Sequence, residues 1–149
     1  MMSTTRATEC SISHDIGLSL AYTIMRTAFG TNHWIREGKS LNLTNVEPVP
    51  DVCVVSGTPR SYLAKPRMAL IIIEVADSSL SYDLGDKANL YASANIADYW
   101  VLDLNRRRLI IHRDPQNDVY TSITTHNEME TVSPLAAPNA SILVSDLLP

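Results

Sequence analysis

The sequence predicts an α/β fold of the α+β kind, with helices packed on one mixed sheet. Segments of helical and strand character follow one another in the order helix, strands, helix, strands, which is typical of this class. The 149 residues are 45% hydrophobic and 19% charged, enough to build one core without disulfides or metal staples. No repeat or linker divides the chain, so we expect a single domain over residues 1–149.

The first predicted element is an amphipathic helix over about residues 13–29. Its apolar side chains recur every four residues, as Ile16, Leu20, Ile24 and Ala28. Ser13 is the expected N-cap and Gly30 the expected stop.

Two short strands with a tight turn between them are predicted next, over residues 34–36 and 40–43. The turn is expected at Glu37-Gly38-Lys39, since glycine permits tight turns. Residues 45–50 contain two prolines and predict a loop that leads into the following strand.

Two apolar runs then predict buried strands that each carry one acid. The run 51–55 begins with Asp51, and the run 69–75 has Glu74 near its end. The second run is apolar on both faces, which is typical of a central strand. Side by side, these strands would bring both carboxylates together at the edge of the core.

A second helix is predicted over about residues 83–94, after a turn at Asp77-Ser78-Ser79. More strands are expected after it, and the chain should end with a last strand and one helical turn. The predicted positions of these later strands are 98–104, 109–113, 119–124 and 142–144.

Two adjacent carboxylates impose an electrostatic requirement. At about 4 Å and an effective dielectric near 20, two negative charges repel by about 4 kcal/mol. A shared proton or a bound cation must therefore accompany them. A hard cation held by carboxylates is typical of a hydrolytic site.

The second predicted helix carries Asp83, Lys87 and Tyr91 at intervals of four, so the three form one stripe. A surface Asp–Lys pair beside a half-buried tyrosine explains the stripe on its own. The helix begins shortly after Glu74, however, so Lys87 can also extend toward the carboxylates. There its ammonium would offset negative charge and position a water.

These features occur in a recognisable order: Pro50-Asp51, a hydrophobic strand ending in Glu74-Val75, the helical stripe, and then Asp98-Tyr99-Trp100-Val101-Leu102-Asp103. The set resembles the Uma-two family of restriction-type endonucleases, within the PD-(D/E)XK nuclease superfamily. The resemblance extends from the first helix to Asp146-Leu147-Leu148, and residues 71–103 are its most specific part.

The resemblance implies a restriction-endonuclease-like core: a helix, three antiparallel strands, a helix after this catalytic hairpin and a further strand, followed by extra C-terminal strands. It implies Asp51 and Glu74 as catalytic and metal-binding acids, with the Val75 carbonyl as a third ligand. The implied metal is Mg²⁺ or Mn²⁺, and the implied substrate is DNA. Asp83 and Tyr91 would support the site.

One position departs from the superfamily signature, which has a lysine two residues after the second acid. Here that residue is Ala76, which can act neither as a base nor as a cation. The resemblance implies that Lys87, on the following helix, takes over as the third catalytic residue.

The charge balance bears on partners. A net charge of −4 and a pI near 5.5 argue against tight nonspecific binding of nucleic acid. Arg106, Arg107 and Arg108 form the best candidate for a weak phosphate-binding patch, although a solvated hairpin tip explains them equally simply. A duplex has two strands and the domain one site, so a homodimer is expected for double-strand cutting.

The polar N-terminus predicts no signal peptide, and no apolar run approaches the ~20 residues that span a bilayer. Two cysteines do not form a disulfide framework. We therefore expect a cytoplasmic protein without membrane association.

Two alternatives to a DNA nuclease stay open. The fold can serve as a nonenzymatic module that binds nucleic acid or protein, as Ala76 and the acidic pI suggest. Hydrolysis of RNA or a small phosphodiester is the other. Of the remaining polar residues, His14 is interpreted as an exposed or capping histidine, with a position at the border of the site as the alternative. Glu37 is interpreted as a solvated turn residue, with an acid just outside the metal ligands as the alternative.

Overall fold

The computed structural model describes the backbone of residues 2–149 and the side chains of residues 12–149. Its main elements are α1 (Met2–Phe29), β1 (His33–Glu37), β2 (Val52–Ser56), β3 (Ile71–Ala76), α2 (Leu80–Leu84), α3 (Asp86–Ser93), β4 (Asp98–Asp103), β5 (Arg108–Gln116), β6 (Val119–Asn127), β7 (Thr131–Val132) and β8 (Ile142–Leu143). Short 3₁₀ turns span Pro59–Ser61 and Val144–Leu147.

Six strands form one mixed sheet in the order β1-β2-β3-β4-β5-β6. All neighbours are antiparallel except β3 and β4, which are parallel. A parallel pair needs a crossover connection, and α2 with α3 supplies it. Helix, antiparallel strands, helices and further strands follow in the predicted order, so the predicted α+β fold is confirmed.

The central strands β2, β3 and β4 are buried on both faces of the sheet, and their side chains divide between the faces with the strand period of two. One face packs on α1 through residues that include Val54, Ile73, Trp100 and Leu102. The opposite face packs on α3 through residues that include Cys53, Ile72, Tyr99 and Val101. Every residue of β3 is buried, as expected of a central strand.

Helix α1 approaches the sheet most closely at Gly17. A Cβ atom there would lie 3.0 Å from Cγ1 of Val75 and 3.4 Å from Cδ2 of Leu104. The absence of a side chain therefore lets the helix backbone lie against the end of β3. This contact places the preceding turn of α1 beside the acid-bearing end of the sheet.

The predicted strand over residues 40–43 is wrong. Leu43 makes only an isolated bridge with Val46, and β1 pairs with β2 instead. Leu41 and Leu43 are buried on the α3 side of the sheet. Their alternating apolar pattern reflects the packing of a loop onto the core, not strand pairing.

The predicted helix over residues 83–94 is two helices that meet at Gly85. The N–H of Gly85 donates to the carbonyls of Ser81 and Tyr82, and its backbone leaves the helical region at φ −103° and ψ −102°. A Cβ there would lie 3.1 Å from the Ser81 carbonyl oxygen. Glycine therefore permits a bend between α2 and α3.

Other boundaries shift without changing the architecture. Helix α1 begins at Met2, well before the predicted start at residue 13. Strands β5 and β6 are each longer than predicted, and β7 was not predicted. No helix among the described residues combines the length and apolar character needed to cross a membrane.

Asp98 anchors the far end of β4, away from the acids of β2 and β3. It is fully buried, and its carboxylate accepts hydrogen bonds from Arg113 Nε (3.0 Å), Trp100 Nε1 (2.7 Å) and the Leu135 N–H (2.9 Å). Burial raises its pKa, and these donors oppose the rise. Asp98 thus ties β4, β5 and the C-terminal segment together.

We expect Asp98→Ala to lower the free energy of unfolding by about 3–5 kcal/mol, because the partly buried guanidinium of Arg113 would lose its counter-charge. Urea unfolding measures the loss. The matched control is Asp118→Ala, which removes an exposed acid that accepts one hydrogen bond, from Ser93. The control should change stability by less than about 1 kcal/mol. Equal midpoints for the two variants would contradict this role of Asp98.

Candidate active site

Reciprocal hydrogen bonds lock the two predicted acids together. The N–H of Asp51 donates to Oε1 of Glu74 at 3.2 Å. The N–H of Val75 donates to Oδ2 of Asp51 at 2.8 Å. Each acid therefore accepts a backbone hydrogen bond from the other's strand, and the two carboxyl groups lie side by side where β2 and β3 separate.

Proline explains why the strands separate there. The last paired residues are Val52 and Ile73, and continuing the register places Pro50 opposite Val75. Proline has no N–H and cannot extend the ladder. Val75 donates to the Asp51 carboxylate instead, and its own carbonyl faces a strand position that has no donor.

Lys87 reaches the acids from α3. Its Nζ lies 2.5 Å from Oε2 of Glu74 and 3.9 Å from Oδ1 of Asp83. Its side chain is 17% exposed, against 3% for Glu74. Ala76, where the superfamily signature has lysine, is fully buried on the same side of the sheet. The structure therefore brings the ammonium of Lys87 to the acids from the helix layer.

Burial dominates the electrostatics of Glu74. Desolvation and the nearby charge of Asp51 raise its pKa to about 8, although Lys87 opposes the rise. Burial lowers the pKa of Lys87, but Glu74, Asp83 and Asp51 more than compensate, so the net shift is upward. Lys87 is therefore protonated at neutral pH, and Glu74 still lacks full positive compensation.

Asp83 holds Lys87 from the other side. Its carboxylate accepts a hydrogen bond from Ser79 Oγ at 2.7 Å, and its backbone carbonyl accepts one from the Tyr99 hydroxyl at 2.8 Å. Burial raises its pKa, and Ser79 and Lys87 oppose this. Asp83 and Lys87, which the sequence places on one helical stripe, are therefore in contact, although Asp83 lies on α2 and Lys87 on α3.

Tyr91 lies behind the acids, in the layer between the sheet and α3. Its ring centre is 5.0 Å from that of Tyr99. Its hydroxyl is buried and has no hydrogen-bond partner among the described residues. Burial, followed by the charge of Glu74, raises its pKa, so the hydroxyl stays neutral.

His14 is a neighbour of the acids, so the alternative interpretation of this residue, at the border of the site, describes its position. Its Nε2 lies 3.4 Å from Oδ2 of Asp51, and its side chain is 33% exposed at the rim of the site. It belongs to α1, more than thirty residues before Asp51. Only the close packing of Gly17 on Val75 brings the two together, and no local pattern indicates that contact.

The three arginines of the predicted phosphate patch lie on the β4–β5 hairpin and face acids. Arg108 Nε lies 2.8 Å and Arg106 Nη1 3.7 Å from Oδ2 of Asp103, and Arg107 Nε lies 2.7 Å from Oε2 of Glu128. Because Asp103 pairs with Ala76, this hairpin is at the same end of the sheet as Glu74. The patch is partly neutralised, and Arg106 is its most exposed member.

The oxygen donors suit a hard cation, with one limit. Among the described residues, no group of three or more His, Cys, Asp or Glu is arranged to hold a metal ion. The donor set is instead two carboxylates and the Val75 carbonyl, and no described residue donates a hydrogen bond to Oδ1 of Asp51. Few protein ligands and several waters fit magnesium, and a cation would supply the charge that Glu74 lacks.

The raised pKa of Glu74 predicts a pH effect on stability without metal. Because the pKa of the folded state lies above the ordinary 4.5, this contribution to stability is fully present below about pH 4.5 and is lost as the pH rises toward 8. We expect Glu74→Gln to be more stable than wild type at pH 8 by about 2–4 kcal/mol, and to lose this pH dependence. Unfolding in EDTA across pH 4–9 measures it.

The matched control for that experiment is Glu37→Gln, which removes the exposed carboxylate at the end of β1. It should keep the wild-type slope of stability against pH between 4.5 and 8. An unchanged slope in Glu74→Gln would contradict the assignment of the buried titration to Glu74.

Comparison with known proteins identifies the family and the fold. The chain matches the family model described as "Uma2: Putative restriction endonuclease" over residues 20–145. A crystal structure described as "a putative nuclease belonging to DUF820", from Anabaena variabilis ATCC 29413, has the same fold, with a TM-score of 0.71 and 14% identity over 91% of this chain and 79% of that chain. No curated protein matches the chain. The chain therefore belongs to the Uma2 family of restriction-endonuclease-type nucleases.

Proposed function

We propose that this protein is a metal-dependent DNA endonuclease that hydrolyses phosphodiester bonds with Mg²⁺ or Mn²⁺. The observation that carries the proposal is the convergence of Asp51, Glu74 and Lys87 where β2 and β3 separate. Membership of the Uma2 family supports nuclease chemistry. The metal is inferred from the chemistry of the oxygen donors, and the DNA substrate from the family description as a restriction endonuclease.

Asp51, Glu74 and the carbonyl of Val75 are the proposed metal ligands. A divalent cation bound there supplies a Lewis acid that polarises a phosphate and lowers the pKa of a bound water. The protein prepares this site by holding both carboxyl groups with backbone N–H donors. His14, 3.4 Å from Asp51, limits the movement of that carboxylate on the solvent side.

Lys87 acts through its charge and not as a base. Its pKa is raised by the surrounding carboxylates, so its ammonium keeps its proton at neutral pH. A fixed ammonium beside Glu74 can orient a water and stabilise the negative charge that develops on phosphate oxygens. Asp83 keeps Lys87 in place, and Tyr91 fills the space behind Glu74 and keeps bulk water out.

DNA is the proposed partner, bound by a homodimer in the cytoplasm. One chain carries one such site, so cutting both strands requires two copies. Arg106, Arg107 and Arg108 lie at the same end of the sheet as the acids and are proposed as weak phosphate contacts. Their ion pairs with Asp103 and Glu128 predict a small contribution.

Replacement of Asp51 tests the metal site. We expect wild type to nick supercoiled plasmid with Mg²⁺ and to be inactive in EDTA. Asp51→Asn should lower the rate by on the order of a hundredfold or more, because a ligand and its charge are lost. Asp86→Asn, an exposed acid in the first turn of α3, is the matched control and should cleave like wild type.

Replacement of Lys87 tests its electrostatic role. We expect Lys87→Met to lower kcat on the order of a hundredfold with little change in KM, since the ammonium acts mainly in the transition state. Lys39→Met, at an exposed lysine after β1, is the control and should keep the wild-type kcat. A loss confined to KM would show that Lys87 only binds substrate.

Ala76 favours one competing function, a nuclease fold that binds without cutting. The assay must therefore cover supercoiled, linear duplex and single-stranded DNA as well as RNA, with Mg²⁺ and with Mn²⁺. Inactivity of wild type on every substrate would support the binding module. If wild type cleaves only RNA, the proposed metal site is supported and the proposed DNA substrate is wrong.

A further inference from the structure

Arg36 is a buried cation close to the acids that the proposed chemistry does not use. It lies on β1, an edge strand of the sheet, directly opposite Cys53 of β2. Only 5% of the surface of Arg36 is exposed to solvent. The connection after β1 contacts the site directly, because the N–H of Gly38 donates to the Asp51 carbonyl at 3.0 Å. With strand spacings of about 3.3 Å per residue and 4.8 Å between strands, the backbones of Arg36 and Asp51 are about 8 Å apart.

The guanidinium of Arg36 lacks a counter-anion. Its Nε and Nη1 are buried without hydrogen-bond partners, and no described residue forms an ion pair with it. The residue opposite Arg36 on β2 is Cys53, a buried free thiol and not an anionic group. Arginine does not lose its proton in proteins. A buried charge of this kind is strongly disfavoured unless an anion completes it.

Aromatic rings hold this guanidinium in place. Its central carbon lies 4.6 Å from the ring centre of Trp34, and the rings of Trp34 and Tyr62 lie 5.6 Å apart. The Tyr62 hydroxyl donates to the Ser56 carbonyl at 2.6 Å, which fixes the outer ring. Only a small part of the Arg36 surface, 5%, is open to solvent. The side chain is therefore fixed before any ligand binds.

A phosphate is the anion that fits best. The planar guanidinium matches the oxygens of a phosphate, and a compact anion suits the small exposed part of Arg36. The local charge also favours an anion. Residues 33–69 contain five basic and three acidic side chains, although the whole chain has a net charge of −4. An acidic protein peptide would have to bring a carboxylate to the same small exposed surface.

We propose that Arg36 binds a backbone phosphate of the nucleic acid, next to the phosphate that is cleaved at Asp51 and Glu74. This assignment rests on the proposed function for its substrate class. Arg36 is a binding residue that sets the position of the strand. Its rigid stacking on Trp34 reduces the entropy lost when the phosphate binds.

Inorganic phosphate is the first probe, because it needs neither DNA nor cleavage. We expect phosphate to raise the Tm of wild type in EDTA at constant ionic strength, and not to raise that of Arg36→Met. Arg26→Met is the matched control. Arg26 is also near an aromatic ring, 5.9 Å from that of Tyr22, but is exposed and belongs to α1. This control should keep the wild-type response to phosphate.

Binding of a short DNA duplex is the second probe, measured by fluorescence anisotropy in EDTA at several salt concentrations. In the cleavage-deficient Asp51→Asn background, Arg36→Met should weaken binding on the order of tenfold and reduce the salt slope by about one. Arg36→Lys keeps the positive charge but loses the planar guanidinium, so its affinity for the duplex should be intermediate between that of Arg36 and that of Arg36→Met. It also replaces Arg36→Met if that variant does not fold.

The outcomes separate a ligand site from a structural role. If Arg36→Met lowers the Tm without phosphate and binds phosphate and duplex like Arg26→Met, Arg36 is structural and the proposal is wrong. If Arg36→Met alone loses the phosphate response and wild type cleaves nothing, the anion site stands and the nuclease assignment fails. Binding of an acidic peptide in preference to duplex would overturn the assignment to nucleic acid.

Discussion

The candidate site depends on the way the β2–β3 ladder ends. Pro50 cannot donate a hydrogen bond, so the carboxylate of Asp51 accepts the N–H of Val75, and the carboxylate of Glu74 accepts the N–H of Asp51. These bonds satisfy backbone donors that would otherwise be left without partners at the edge of a buried sheet. The same bonds fix both acids. Local backbone requirements and the geometry of the proposed metal site are therefore met by the same four residues.

The arrangement carries an electrostatic cost that a proton on Glu74 or a bound cation removes. Glu74 is buried beside a second carboxylate, and the single ammonium of Lys87 does not prevent its pKa from rising to about 8. A chain selected for stability alone would place an apolar residue there, since buried ion pairs often contribute little net stability. The proposed cation would account for an acid at the end of β3, and the unpaired guanidinium of Arg36 presents the same problem with opposite charge on β1.

Sequence patterns predict the parts of the fold that rest on local signals. The run of buried apolar residues in β3 and the proline before Asp51 each act on their own strand, so both the sheet and the position of the acids could be predicted. The error at residues 40–43 has the opposite origin, because Leu41 and Leu43 alternate as in a strand but are buried in a loop. The contact of His14 with Asp51 and the place of Arg36 opposite Cys53 could not be predicted from local patterns, because each joins elements that are separate in the sequence.

The ammonium of Lys87 comes from a helix because the corresponding position on β3, Ala76, is buried in the core. Ala76 faces the layer of α3, is fully buried, and its carbonyl accepts a hydrogen bond from Leu104. A lysine at that position would have to reach past the helix that covers it. Lys87 enters the same space from the helix side, held by Asp83 across the bend at Gly85. Its placement therefore depends on the packing of α2 and α3 against Tyr99, so the core that stabilises this crossover also sets the charge beside Glu74.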